Sequence, residues 1–394
     1  MNRKTMKLFS TIGVISLILL CTFLSLSAPV RAASSTTLTV GGTPQVVAIT
    51  PDGKYAYVPN GENVSVINIS TNKITATVTV GNDPQDVAIT PDGKYAYVTN
   101  ADPKNMDGTV SVINTATNKV TATISVGGSP FAVAITPDGK YAYVTKNDYV
   151  TSAAGTTSAG IVAVINTATN AITKTIILGD MSDPQAIAIT PNGNYAYVVN
   201  TGTGNVSAIN IATNAVTANI TVGTSPRGLA IALDGTNVYV TNSISNTVSV
   251  ISTASNTVVN TLTGFGTPNG VAITPDDKYV YVANGFNGSV SVINTDTNTA
   301  EKTLSAGSNP YGIAITPNGE YAYVTNIAYS GSGSPDVNYI GTVSVISTST
   351  TATSASPEAP EFPAQLLTTM LVISMIAVFS VIIFAKRQAK KRIQ

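Results

Sequence analysis

The chain contains no histidine and a single cysteine, Cys21. Without histidine, the commonest general base and neutral metal ligand is missing. Cys21 lies in an apolar stretch near the N-terminus and follows Leu20, not the small residue a lipoprotein signal requires. It therefore belongs to a segment expected to be removed. The remaining chain then has no thiol nucleophile, no cysteine zinc cluster and no disulfide, and its stability rests on packing and strand pairing. Charge is also scarce, at 10% of the residues. Of the 20 basic residues, Arg3, Lys4, Lys7 and Arg31 sit at one end and Lys386, Arg387, Lys390, Lys391 and Arg392 at the other. Residues 33–363 keep eleven basic residues against all 20 acidic ones, a net charge of −9. Phosphate binding needs clustered Lys and Arg, so nucleic acid is not an expected partner.

The two ends carry targeting signals. Residues 1–32 combine a basic start, an apolar run over 8–26 and the small-residue site Val30-Arg31-Ala32, the pattern of a secretory signal peptide. An uncleaved anchor is the alternative. Residues 348–363 are rich in Ser, Thr, Ala and Pro and read as a short disordered stalk. Residues 364–385 are apolar and long enough for a membrane-spanning helix, and the basic tail 386–394 predicts a cytoplasmic end.

What the chain has in abundance is one phrase. ITPDGKYAYVTN at 89–100 stands almost unchanged at 49–60 and 135–146, and returns with small changes at 189–200, 231–242, 273–284 and 315–326. The intervals are 40, 46, 54, 42, 42 and 42 residues, the period of a propeller or solenoid. Each unit holds four short β-branched or Tyr-rich segments bounded by Gly, Pro, Asn or Asp, as in VAIT (87–90), YAYVT (95–99), VSVIN (110–114) and TATISV (121–126). TPDGK joins the first two as a hairpin, with Gly in the left-handed position. Leu233 replaces Pro in the fifth unit and Asp277 replaces Gly in the sixth.

Four strands in seven units predict an all-β, seven-bladed β-propeller over residues 33–347. After the seventh VSVIS the chain runs into STSTTATSASPEAP, which is no strand, whereas TTLTVGG at 36–42 matches a fourth strand. Residues 36–40 are therefore expected to complete the blade built from 311–347. Such closure removes an open sheet edge. Thirteen of the 17 tyrosines lie in the repeated phrases. In YAYV both Tyr point to one face, which predicts packing between blades; a ligand-binding aromatic row is the alternative.

YVTN at 97–100, 239–242 and 323–326, set in tandem units of this length, resembles the YVTN-family β-propeller repeat across about residues 36–347. That family is typical of archaeal surface-layer and cell-surface proteins, with relatives in bacteria. Some related propellers are lactonases or lyases and others are interaction platforms, so fold does not settle function. Pro360, Glu361 and Phe362, followed by an apolar helix and a basic tail, resemble the PEF-CTERM sorting signal of archaea. That resemblance implies cutting by an archaeosortase and transfer to a lipid anchor; a plain stop-transfer helix is the alternative. Either tethers the propeller to the outer face of the cell membrane.

Binding residues are expected on the face carrying the loops between second and third strands, with the connections from fourth strand to next first strand beside them. Three such loops are long, at 100–109, 146–160 and 326–341. They supply the candidate contact residues Asp102, Asp107, Asp148, Tyr149, Tyr329, Asp336 and Tyr339, with further acids in GNDPQD (81–86) and GDMSDP (179–184). Asn105 and Asp107 resemble the middle of a calcium loop, but Pro103 occupies its first ligand position and no Glu closes it; a plain turn is the alternative. Five Asn-x-Ser/Thr sequons occur, of which Asn63, Asn205 and Asn287 fall in accessible turns and Asn68 and Asn219 at or within strands.

With no His and no mature Cys, the expectation is a non-enzymatic, membrane-tethered interaction module without a cofactor, binding envelope proteins, cell-surface proteins or glycans. The rival is a lactonase- or hydrolase-like propeller with a carboxylate-held metal in the central channel. Three or more acids on the axis favour the rival; a channel of small apolar and Ser/Thr residues favours the module.

Overall fold

The computed structural model describes residues 36–102, 104–152, 155–330 and 338–348. The expected signal peptide, the stalk beyond Thr348, Pro360, Glu361, Phe362, the apolar helix 364–385, the basic tail and Asp336 lie outside the described residues. Among the described residues no helix is long and apolar enough to cross a membrane.

The described chain forms seven four-stranded antiparallel sheets. Blade 2 shows the pattern, with Pro84–Ile89, Tyr95–Asn100, Thr109–Asn114 and Lys119–Ser125 in order from inside to outside. The first strands pack side by side in a cycle that includes the first and last blades. Thr36–Thr39 pairs with the strand Asn338–Ser347, in register from Thr36↔Val345 to Thr39↔Thr342. The last blade is thus completed by the N-terminal strand, as its sequence match to a fourth strand predicts.

The core lies between the blades. Each of seven apolar clusters joins two neighbours, and one of them sets Val47, Ala56, Val58 and Ile67 of blade 1 against Tyr323, Val343 and Val345 of blade 7. The second tyrosine of each phrase is buried in this seam, and burying a ring of this size is a dominant packing contribution. Its hydroxyl needs a partner there. Tyr57 donates to Asn118 Oδ1 at 2.7 Å, Tyr143 to Asn214 at 2.7 Å and Tyr323 to Asn72 at 2.6 Å, each on the next blade. These asparagines hold a left-handed backbone, with φ of 52°, 53° and 50°, in the hairpin between third and outer strands. The tyrosine rows are therefore packing and latching elements.

The threonine of YVTN has a separate task. Each first strand of blades 2–7 slips register just after its proline, between Pro84 and Asp86 in blade 2. Such a bulge leaves an N–H without its ladder partner. The Thr99 hydroxyl accepts the Asp86 N–H at 3.0 Å and donates to Phe131 O of the next blade at 2.7 Å. Thr241 does the same for Gly228 N and Asn269 O, and Thr325 for Gly312 N and Gln45 O. These hydroxyls stitch the inner ring together.

On the opposite face lie the TPDGK turns. Thr50 donates to Asp52 Oδ1 at 2.7 Å, and the Lys54 N–H donates to the same oxygen at 3.1 Å. Gly53 has φ of 70°, and a β-carbon added at each such glycine would meet the proline of the preceding blade, at 3.7 Å for Gly93 and Pro51. Blades 5 and 6 depart from this together. Asp277 takes the left-handed position with φ of 57°. Its carboxylate accepts Leu233 N–H at 2.7 Å and Asp234 N–H at 2.9 Å. Proline at 233 would have no N–H to give. The two exceptions to the repeat are one interaction.

Two expected loops are not loops. Tyr141–Ser152 and Gly155–Asn166 stay paired out to Ser152↔Gly155. Tyr321–Ser330 and Asn338–Ser347 stay paired out to Ser330↔Asn338. In the first, Val150, Thr151, Thr156 and Thr157 are β-branched and suit an extended ladder.

Candidate functional site

The residue after each first-strand proline stands at the mouth of the central channel, on the face of the second-to-third strand connections. In blade order these residues are Gln45, Gln85, Phe131, Gln185, Arg227, Asn269 and Tyr311. They line a cavity of about 220 Å³ together with Asp86 and with small and branched aliphatic residues of the same segments. In blades 2–7 the bulge places these residues, because the residue that leaves the ladder register is free to face the axis.

The ring is not symmetric. The next position is Val46, Asp86, Ala132 and Ala186 in blades 1–4 but Gly228, Gly270 and Gly312 in blades 5–7. A β-carbon on these glycines would stand 2.4 Å from Asn269 O, 2.5 Å from Tyr311 O and 2.5 Å from Gln45 O. The inner strands approach on that side only because the side chain is absent. Asn269 is buried and donates to Pro310 O at 3.1 Å.

Two groups in the cavity carry charge. The Asp86 carboxylate accepts Val87 N–H at 2.7 Å and, across the seam to blade 3, Val133 N–H at 2.9 Å. Burial pushes its pKa up to about 7, against the pull of those two backbone bonds. Arg227 lies with its guanidinium 6.0 Å from the centre of the Tyr311 ring, and Nη1 donates to the Tyr311 hydroxyl at 3.4 Å. Among the described residues no carboxylate forms an ion pair with it. The cavity thus combines a proton acceptor poised near neutrality, an unneutralised cation and a wall of carboxamides and aromatic rings. Neither sequence criterion describes it. One acid reaches the channel rather than three, and the wall is not simply small and apolar. Among the described residues no group of three or more His, Cys, Asp or Glu could hold a metal.

Of the contact candidates drawn from sequence, Asp102, Asp107, Asp148, Tyr149 and Tyr339 belong to the connections of this face and are not among the residues lining the cavity. Asn105 donates to Asp102 Oδ2 at 3.2 Å and holds that carboxyl below its usual range. Asp107 accepts instead from Ser125 at 3.4 Å. Burial raises the Asp148 carboxyl, but bonds from Lys146 Nζ, at 2.7 Å, and from Tyr149 N–H outweigh it and leave it lowered. Lys146 is itself buried, standing where other blades have the Asn of YVTN. Tyr149 is 65% exposed and Tyr339 47%. Tyr329 pairs with Tyr339 through the backbone ladder. Asn63 accepts from Thr79 and Asn205 from Asn200, whereas Asn287 is exposed in its loop.

The cavity ring was missed from sequence, although GNDPQD had drawn notice for its acids. The available signal was a slot that changes from blade to blade in an otherwise constant phrase. Gln, Gln, Phe, Gln, Arg, Asn and Tyr cannot all serve one packing role.

The family described as "Lactonase, 7-bladed beta-propeller" matches residues 53–330. No curated protein matches the chain. Among solved structures, hydrazine synthase of Kuenenia stuttgartiensis superposes with a TM-score of 0.63 at 22% identity, over 80% of this chain and 99% of that one. At that identity the likeness speaks for the fold alone.

Proposed function

Since the chain belongs to the seven-bladed β-propeller lactonase family, we propose that its working site is the channel mouth and that it takes a lactone or the hydroxy acid a lactone yields. The observation that carries this is that Arg227 and Asp86, unpaired with each other, line one cavity whose other groups are uncharged. The guanidinium suits a carbonyl or carboxylate oxygen. Asp86 is the one group in the cavity that can accept a proton from an attacking water near neutral pH. In the reaction, water adds to the lactone carbonyl as its proton passes to Asp86, the ring C–O bond breaks, and Asp86 returns that proton to the departing alkoxide. The carboxamides of Gln45, Gln85, Gln185 and Asn269 offer hydrogen bonds to ring hydroxyls. The test is hydrolysis of a set of aldonolactones by the mature chain, followed by base uptake at constant pH. Turnover that D86N abolishes is expected. R227Q is expected to raise KM by roughly 10–100-fold, the worth of one charged hydrogen bond. Absence of both turnover and binding, for every lactone and hydroxy acid tried, would sink the reading.

A second reading follows from the rim. The four most exposed large apolar side chains, Tyr149, Met181, Ile244 and Phe286, all stand on this same face. That distribution supports an interaction module for envelope proteins or glycans, with calcium as a possible aid at Asn105 and Asp107. In both readings the protein sits at the cell surface, exported by residues 1–32 and anchored through residues 348–394, by the membrane helix or by archaeosortase transfer to lipid. Thr348, the last described residue, lies beside the TPDGK-type turns, its N–H donating to Glu320 O at 2.9 Å. Binding of the mature chain to isolated envelope, lost when the hairpins at 147–159 and 327–340 are shortened, is the expected result.

A further inference from the structure

From the surroundings of the five sequons we infer that Asn287 is the N-glycan carrier of this propeller and that its first sugar covers Phe286. The inference rests on the exported location proposed above, because the sugar donor is met outside the membrane.

Four of the five asparagines are built into the fold through their own side chains. Asn68 accepts from Ser70 Oγ, Thr71 N–H and Thr71 Oγ1, at 2.8, 3.1 and 3.1 Å, and so shapes a tight turn. Asn63 accepts from Thr79 at 3.0 Å, and Asn205 from Asn200 at 2.7 Å. Asn219 is in mid-strand opposite Ser207, whose hydroxyl it accepts at 2.7 Å. A sugar on any of these must fit around a carboxamide already fixed by its neighbours. Asn287 is exposed at a loop tip; its carboxamide lies over Gly266, where an added β-carbon would stand 2.4 Å from Nδ2, but among the described residues no hydrogen bond clasps it.

The second observation is Phe286, 85% exposed and the most exposed large apolar residue among those described. It is not a ring awaiting collapse. Its own N–H donates to Gly266 O at 3.2 Å, and Gly285 N–H donates to Thr267 O at 3.0 Å, so the tip is fixed with the ring outward. Ile244, 69% exposed, stands in the corresponding loop of blade 5. A rigid apolar tip in water is a liability unless something covers it. The apolar face of a sugar on the adjacent Asn287 stacks on an aromatic ring and presents its hydroxyls to water. In the transfer, Asn287 Nδ2 bonds to the anomeric carbon of an oligosaccharide carried on a polyprenyl phosphate. The C–O bond to phosphate breaks, the lipid phosphate leaves with the electron pair, and one amide proton is lost to the transferase base.

The experiment takes the full chain from its source cells, digests it with trypsin and reads the peptides by tandem mass spectrometry. Cleavage after Lys278 and Lys302 isolates Asn287 as the sole sequon of residues 279–302, while Asn63 and Asn68 fall in 55–73 and Asn205 and Asn219 in 175–227. The expected result is sugar mass on 279–302, with the other two peptides bare. A bare 279–302 peptide overturns the proposal, and a chain start near Ala33 in the same digest shows that export did not fail. Sugar on 55–73 or 175–227 as well overturns the sorting by clasped carboxamides. In the same cells, N287Q is expected to raise binding of an apolar dye severalfold, and F286S added to N287Q to restore the original level. An unchanged dye signal in N287Q overturns the covering of Phe286.

Discussion

Replacing Asp86 by asparagine should change stability with opposite sign on the two sides of neutrality. The carboxyl titrates near 3.8 in the unfolded chain and at about 7 in the folded one, raised by burial. A raised carboxylate pKa means the folded state favours the protonated form. The cost of ionising it is small near pH 4, grows between pH 4 and 7, and is fully present above 7. A shift of about three units corresponds to roughly 4 kcal/mol. Asp86 is part-exposed to the channel, so solvent screening brings this to about 2 kcal/mol. Asparagine escapes that cost but can accept only one of the two backbone N–H groups that Asp86 serves. Losing the second costs about 1 kcal/mol at either pH. The net expectation is that D86N is more stable than the parent by about 1 kcal/mol at pH 8 and less stable by a similar amount at pH 4. At roughly 2 °C per kcal/mol for a domain of this size, Tm rises slightly at pH 8 and falls at pH 4. Calorimetry at the two pH values measures it. A variant less stable at both, or more stable at both, refutes the burial argument and with it a proton acceptor poised near neutrality.

Restoring the repeat consensus with D277G alone should destabilise by about 1 kcal/mol, because two backbone bonds are lost for one relieved left-handed residue. L233P with D277G should recover most of that loss in urea unfolding, and simple additivity would break the link drawn between the two positions. T325V should cost about 1–3 kcal/mol by leaving Gly312 N–H and Gln45 O without their hydroxyl, read as a lower urea midpoint at unchanged slope. Tyr143→Phe should lower stability by about 1 kcal/mol and Tyr143→Ala by about 3–5, since the first loses only the latch to Asn214 and the second empties the seam. Deleting residues 36–39 should expose the edge of Asn338–Ser347 and cause concentration-dependent association in light scattering.

The propeller was legible because its determinants are local and repeated. Alternating β-branched residues, TPDGK turns and the 42-residue spacing act within one blade, so seven copies announce seven blades. Even the closing strand could be read, since TTLTV matches the outer strand that the last unit lacks. The same locality misled at 146–160 and 326–341, where extra length read as loop and most of it continued the ladder. The site was legible only in outline. The channel mouth opens on the face picked from sequence, but Asp102, Asp107, Asp148 and Tyr149 are not among its lining residues, which the reading touched only through the acids of GNDPQD.

The sequence by itself determined the blade count, the turn conformations and the tyrosine seams, because neighbours along the chain or one repeat away specify them. Tertiary structure alone decided that Asp277 serves a turn 44 residues earlier, that Asp86 reaches across a seam to Val133, and that Arg227 and Tyr311, 84 residues apart, share one cavity. Those facts depend on how far the ring closes and on which glycines let neighbouring strands approach. Distance across a closed ring is a property of the whole circuit, and no single repeat contains it.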